Sequence, residues 1–159
     1  MPDQPRKGQA EQPAVHPNPA LLPLDKLVGE WNMAITSPAY PSTVVSGHAT
    51  FEWLAGGAFL LMRTDIEPVG PPSGLAVIGR DDAGETYSML YYDSRGVSRL
   101  YAMTFADGVW QMHREAPGFL QRFVATINAD GTSISGRWDK SSDGSNWQHD
   151  LDWSYQRVK

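Results

Sequence analysis

The chain has 159 residues, enough for one domain and little more. Its 13 Lys and Arg against 18 Asp and Glu give a net charge of −5, which argues against gripping a nucleic-acid backbone, and the absence of Cys removes disulfides, thiolate metal sites and Cys nucleophiles together. No apolar run approaches the roughly 20 residues of a spanning helix and the first residues lack the basic-then-apolar layout of a secretory signal, so no membrane partner is expected and the expected location is cytoplasmic.

Residues 1–20 hold five of the 12 prolines and almost no large apolar side chains, the composition of a disordered Pro-rich tail, with His16 inside it. The folded domain is expected over 21–159. It opens on LLPLDKLVGEW, where Leu24, Leu27 and Val28 at helical spacing precede Gly29, so a short helix or 3₁₀ turn leads into the first strand. From Trp31 onward turn signals recur at Gly56-Gly57, Gly84, Gly96, Asp107-Gly108, Pro117-Gly118, Asp130-Gly131 and Asp143-Gly144. Short alternating segments between such turns predict an all-β antiparallel meander of about ten strands. Pro is absent between Ser73 and Ala116, as paired strands require, and the one long connection is IEPVGPPSG, Ile66 to Gly74, a mobile loop expected to act as a portal.

Residues opposite one another in an antiparallel pair share a face, so each turn assigns side chains to a surface. The Asp107-Gly108 turn pairs Phe105 with Trp110, Met103 with Met112 and Tyr101 with Arg114. A three-residue loop at Ser94-Arg95-Gly96 pairs Tyr91 with Arg99, Met89 with Tyr101 and Tyr87 with Met103, in agreement about the shared strand. The same treatment of Asp82-Ala83-Gly84 sets Gly79, Val77 and Leu75 opposite Tyr87, Met89 and Tyr91. Gly56-Gly57 pairs Trp53 with Leu60 and Phe51 with Met62, leaving His48, Glu52 and Arg63 on the other face with His113. A two-residue turn at Asp143-Gly144 pairs Trp138 with His149, Gly136 with Leu151 and Ile134 with Trp153, and puts Trp147, His149, Leu151, Trp153 and Tyr155 on one face. The strand from Phe119 to Asn128 has conflicting parities from its two flanking turns, which calls for a bulge there. Two exposed edges would aggregate, so the meander is expected to close into an up-and-down barrel whose interior, at about ten strands, holds a ligand cavity.

Gly29-Glu30-Trp31 resembles the G-x-W of calycin barrels, the lipocalins, fatty-acid-binding proteins and nitrobindins. In lipocalins that Trp packs under an Arg of the last strand, a place that Arg157 would fill. Over residues 24–158, LVGEW, FEWLAGGAFLL, YYDSRGVSRLY, SSDGSNW and WSYQR resemble an uncharacterised bacterial lipocalin-like family of about this length. The resemblance implies a calycin barrel and no particular activity. Nitrobindins, more distantly similar, are ten-stranded barrels that hold haem through a His of the last strand, and His149 lies in the corresponding region.

The expected wall of the lumen is Tyr87, Met89, Tyr91, Arg99, Tyr101, Met103, Met112, Arg114, Trp138 and His149. His149 has three readings: stacked among tryptophans, a small-molecule contact or acid–base group and hence the candidate catalytic residue, or a haem ligand as the nitrobindin resemblance implies. Arg99 and Arg114 either snorkel out at the rim or bind the carboxylate or phenolate end of an otherwise apolar ligand. Asp139, Asp143, Asp150 and Asp152 are expected on an outer face or a turn, and no His/carboxylate cluster has metal-site spacing. The residues therefore point to binding of a small, largely apolar or aromatic molecule, with a cofactor-independent isomerase, cyclase or hydratase as the enzyme alternative and haem as the cofactor alternative. A homodimer is left open.

Overall fold

The computed structural model describes residues 16–159. Most of the tail expected over 1–20 lies outside the described residues, and a 3₁₀ helix begins inside its end, at Pro19–Leu27. Ten strands follow: β1 (Gly29–Ser37), β2 (Tyr40–Leu54), β3 (Phe59–Ile66), β4 (Gly74–Arg80), β5 (Tyr87–Asp93), β6 (Ser98–Ala106), β7 (Val109–Arg114), β8 (Leu120–Ile127), β9 (Ser133–Ser141) and β10 (Gln148–Arg157). Each pairs antiparallel with its sequence neighbours, and β1 pairs with β10, so the meander closes into the expected barrel.

The helix seals one end. At three residues per turn a 3₁₀ helix stacks positions i and i+3 on one line, and Leu21, Leu24 and Leu27 fall on it, all fully buried. Asn18 caps it, its Oδ1 accepting from the Ala20 N–H at 3.0 Å. The Trp31 indole donates to the Leu27 carbonyl at 2.8 Å, and Arg157 stacks over the Trp31 ring at 4.1 Å. The same guanidinium donates to the carbonyls of Val28 (2.6 Å), Lys26 (2.7 Å) and Gly131 (2.9 Å), tying the helix end, the first strand and the β8–β9 turn together. Gly29 makes room for it: at φ +126° a Cβ there would stand 2.8 Å from Arg157 Nη1.

Of the five hairpin registers read from sequence, three hold and two differ. The Gly56-Gly57, Ser94–Gly96 and Asp107-Gly108 pairings are as expected. On β4, however, Ala76, Ile78 and Arg80 stand opposite Tyr91, Met89 and Tyr87, so Leu75 and Val77 face outward. The cause is a six-residue loop in which the Asp81 carboxylate accepts from the Ala83 N–H at 2.8 Å and Gly84 N–H donates to the Asp81 carbonyl at 3.2 Å. β8 pairs without interruption with β7 and β9 and needs no bulge. The register shift lies in β10 instead, between His149 and Leu151: Leu151 and Trp153 keep their expected inward face but stand opposite Trp138 and Gly136 rather than Gly136 and Ile134. His149 stands opposite Asp139 on the outer face rather than opposite Trp138. The turn that causes this is longer than two residues because the Asp143 carboxylate accepts from the N–H groups of Ser145 and Asn146, both at 2.8 Å.

Aromatic rings fill the lumen below its midpoint. Trp110 contacts Phe123 (5.2 Å between centroids), Phe51 (5.9 Å) and Tyr155 (6.2 Å), and Tyr155 meets Trp31 edge-on at 6.5 Å. Gly136 admits the Phe123 ring, since a Cβ there would lie 2.5 Å from Phe123 Cζ. Two stability predictions follow from this packing. Gly136→Ala is expected to cost about 1–3 kcal/mol in urea unfolding through overpacking. Arg157→Ala is expected to cost about 2–4 kcal/mol, and Arg157→Lys to recover little of it, because a point ammonium cannot reach three carbonyls and the ring face together.

Candidate ligand-binding site

Above the aromatic packing a cavity of about 120 Å³ opens toward the other end of the barrel. Its apolar wall includes Met62, Ala76, Met89, Met112, Leu151 and the faces of Trp110, Trp138 and Trp153. Pro71 and Pro72 of the long β3–β4 connection form part of its mouth.

The polar groups gather at the mouth. Arg99 Nη1 donates to Gln121 Oε1 at 3.0 Å, and the Tyr101 hydroxyl donates to the same oxygen at 2.8 Å. A guanidinium has no acceptor, so the amide must turn its oxygen this way. Arg99 also lies over the Phe119 ring at 5.2 Å, while Arg114 donates to the Phe119 carbonyl at 2.9 Å. Neither arginine has a carboxylate partner among the described residues. Arg95 does: its Nη2 lies 2.7 Å from Asp93 Oδ2, which also accepts from the Tyr91 hydroxyl at 3.1 Å. Lys140 pairs with Asp150 at 2.7 Å. The mouth thus holds Arg95, Arg99, Arg114 and Lys140 against Asp93 and Asp150, an excess of positive charge in a chain whose net charge is −5.

Burial raises the Tyr91, Tyr101 and Tyr155 hydroxyls above their ordinary range, with Asp93 adding to the effect at Tyr91, so all three are neutral donors at physiological pH. Asp93 is lowered to about 2, chiefly by the Arg95 side-chain hydrogen bond. Three further donors have no hydrogen-bond partner among the described residues: the buried indole N–H groups of Trp110, Trp138 and Trp153, all of them cavity-lining residues. A buried donor left unpaired costs about 1–3 kcal/mol, and these three nitrogens are closed off within the packing while the ring faces line the chamber.

The expected site residues divide. Met89, Tyr91, Arg99, Tyr101, Met112 and Trp138 line the cavity. Arg114 stands just outside it at the rim. Tyr87 and Met103 are buried lower in the barrel, where the Tyr87 hydroxyl donates to the Ala20 carbonyl of the sealing helix at 2.7 Å. His149 is the correction: the register shift turns it outward, where its Nε2 lies 3.0 Å from Asp152 Oδ1 without making a hydrogen bond. Trp147, expected beside it on the inner face, instead receives Arg122 over its ring at 4.2 Å. Asp150, expected outside, lines the cavity because of the same shift. Gln121, Arg95 and Asp150 are the site residues that sequence reasoning missed. Counting the β7–β8 loop as six residues, 115–120, would have set Gln121 opposite Arg114, as it is.

A haem does not fit this arrangement. The one His proposed as its ligand points away from the lumen, and about 120 Å³ is well below the roughly 300–1,000 Å³ of pockets for drug-sized molecules.

No protein-family model matches the chain, and no curated protein sequence matches it significantly. Solved structures do. Rv2717c from M. tuberculosis is similar over 91% of this chain and 100% of its own, with a TM-score of 0.61 at 16% identity. The S-type phycobiliprotein lyase CPES from Guillardia theta is similar over 85% of this chain and 90% of its own, with a TM-score of 0.55 at 11% identity. These likenesses extend over most of the chain and show that it shares its closed ten-strand barrel fold with both.

The depressed Asp93 predicts a pH signature. A carboxyl lowered in the folded state stabilises it fully above the unfolded value and loses that contribution as pH falls. The stability difference between wild type and Asp93→Asn is therefore expected to be constant above about pH 5, to shrink from about pH 4 downward and to level off only below about pH 2, measured by urea unfolding across pH.

Proposed function

We propose that the protein binds a small, single-ring aromatic molecule with a carboxylate or phenolate end, ring down among the methionines and tryptophans and polar end up at Arg99 and Tyr101. The observation that carries this reading is the size of the chamber. An apolar cavity of about 150 Å³ is enough to bind benzene, and about 120 Å³ here is of that order. Three Met side chains give the wall some adaptability, and the tryptophan faces supply stacking. Arg99, without a carboxylate of its own, and the neutral Tyr101 hydroxyl supply donors at the polar end, and Arg114 adds charge at the rim. Binding rather than turnover is the primary reading, because the candidate acid–base residue His149 stands outside the lumen.

A ligand of about nine non-hydrogen atoms has limited binding energy, so affinities on the order of 10 μM to 1 mM are expected. Benzoate titrated into the protein is expected to change the tryptophan emission saturably, since Trp110, Trp138 and Trp153 line the chamber. Hexadecanoate and haem are expected to leave it unchanged. Filling the chamber with Ala76→Leu is expected to weaken benzoate about tenfold while the far-ultraviolet circular dichroism is retained. Binding of hexadecanoate or haem without binding of benzoate, or indifference to Ala76→Leu, would overturn the proposal.

A further inference from the structure

Gln121 occupies the place where the polar end of such a ligand would go. Its Oε1 takes a hydrogen bond from Arg99 Nη1 at 3.0 Å and from the Tyr101 hydroxyl at 2.8 Å, the two donors that converge at the top of the chamber, and Gln121 itself lines the cavity. Its position is set by pairing: β8 places it between Arg114 of β7 and Lys140 of β9, on the inward face. A single amide oxygen thus accepts from one cationic and one neutral donor, where a carboxylate oxygen could take its place.

We infer that Gln121 is an internal ligand surrogate and the specificity-determining residue of this barrel: it satisfies Arg99 and Tyr101 in the free protein and yields them only to an acceptor stronger than an amide. This rests on the lumen reading and adds the basis of its selectivity. Hydrogen bonds between a guanidinium and a carboxylate are roughly twice as strong as bonds to a neutral acceptor, so a carboxylate displaces the amide. A neutral hydroxyl does not, and a neutral one-ring compound binds beneath Gln121 without moving it. Arg99 supports this division because its other contact is the face of Phe119 at 5.2 Å rather than a carboxylate that would hold it in place. The contrast with Arg95, whose guanidinium is held by Asp93 at 2.7 Å, shows what a committed arginine looks like in the same mouth.

The test uses benzoate and benzyl alcohol, matched in ring and different in charge, titrated calorimetrically into the full chain, Gln121→Glu and Gln121→Met. Gln121→Glu puts a permanent carboxylate on Arg99. It is expected to weaken benzoate by at least about tenfold, to leave benzyl alcohol within about twofold of wild type, and to abolish the rise in melting temperature that benzoate gives wild type. Gln121→Met removes the competing acceptor at nearly the same volume and is expected to tighten benzoate by about tenfold with benzyl alcohol unchanged. If benzyl alcohol and benzoate both bind wild type but respond equally to either substitution, Gln121 only packs and the surrogate role is overturned. If benzoate is indifferent to both substitutions, it is overturned as well. Failure of both compounds to bind wild type overturns the lumen reading itself, and the surrogate role with it.

Discussion

Everything in this barrel depends on how its two terminal strands are joined and sealed. Trp31 of β1 stands opposite Arg157 of β10, and that pair does more than complete the hydrogen-bond ladder. By reaching the carbonyls of Lys26, Val28 and Gly131 while covering the Trp31 ring, Arg157 holds the 3₁₀ helix across the barrel end. Closure removes both sheet edges, and the plug makes the interior a dead-end chamber rather than a pore. The lumen can then be graded along its axis. Leucines of the helix lie at the bottom, interlocked aromatic rings above them, an apolar chamber above those, and a charged mouth last.

That gradient explains why the chamber is small. A ten-strand barrel has room for more than side chains alone, yet Trp110, Phe123, Trp138, Trp153 and Tyr155 form a continuous chain of edge and tilted contacts that fills much of it. The remaining space is bounded by flexible methionines and tryptophan faces, a wall that suits the single ring proposed for it. The mouth adds polarity of one sign. Two of its four cations are neutralised by Asp93 and Asp150, and the other two make do with neutral oxygens of Gln121 and Phe119. In an acidic chain this concentrates the attraction for anions at the entrance.

How much of this could be read beforehand varied with the kind of turn. The β6–β7 hairpin was legible because Asp107 (φ 52°) and Gly108 (φ 75°) form the two-residue turn that Asp-Gly predicts, and so Phe105, Trp110, Met103 and Met112 were assigned to the interior. The loops after β4 and β9 were not, since their lengths are set by the Asp81 and Asp143 carboxylates capping neighbouring N–H groups, which a count of glycines does not reveal. The cost of that blindness was concentrated at the site. One shifted residue in β10 exchanged His149 for Asp150 in the lumen, and an unoriented β8 hid Gln121. Barrel, plug and apolar wall follow from alternation and closure, which average over many residues. The polar mouth depends on single-residue register, where one slip exchanges inside for outside.

The central claim, that a one-ring acid sits in the chamber beneath the charged mouth, is tested most directly by methyl NMR on protein labelled at methionine. Met62, Met89 and Met112 line the cavity, whereas Met33 and Met103 are buried elsewhere in the barrel. With benzoate bound, nuclear Overhauser contacts are predicted from its ring protons to the methyls of Met62, Met89 and Met112, and none to Met33. Contacts confined to other methyls, or a saturating titration that leaves all three lining methyls unshifted, would contradict the account.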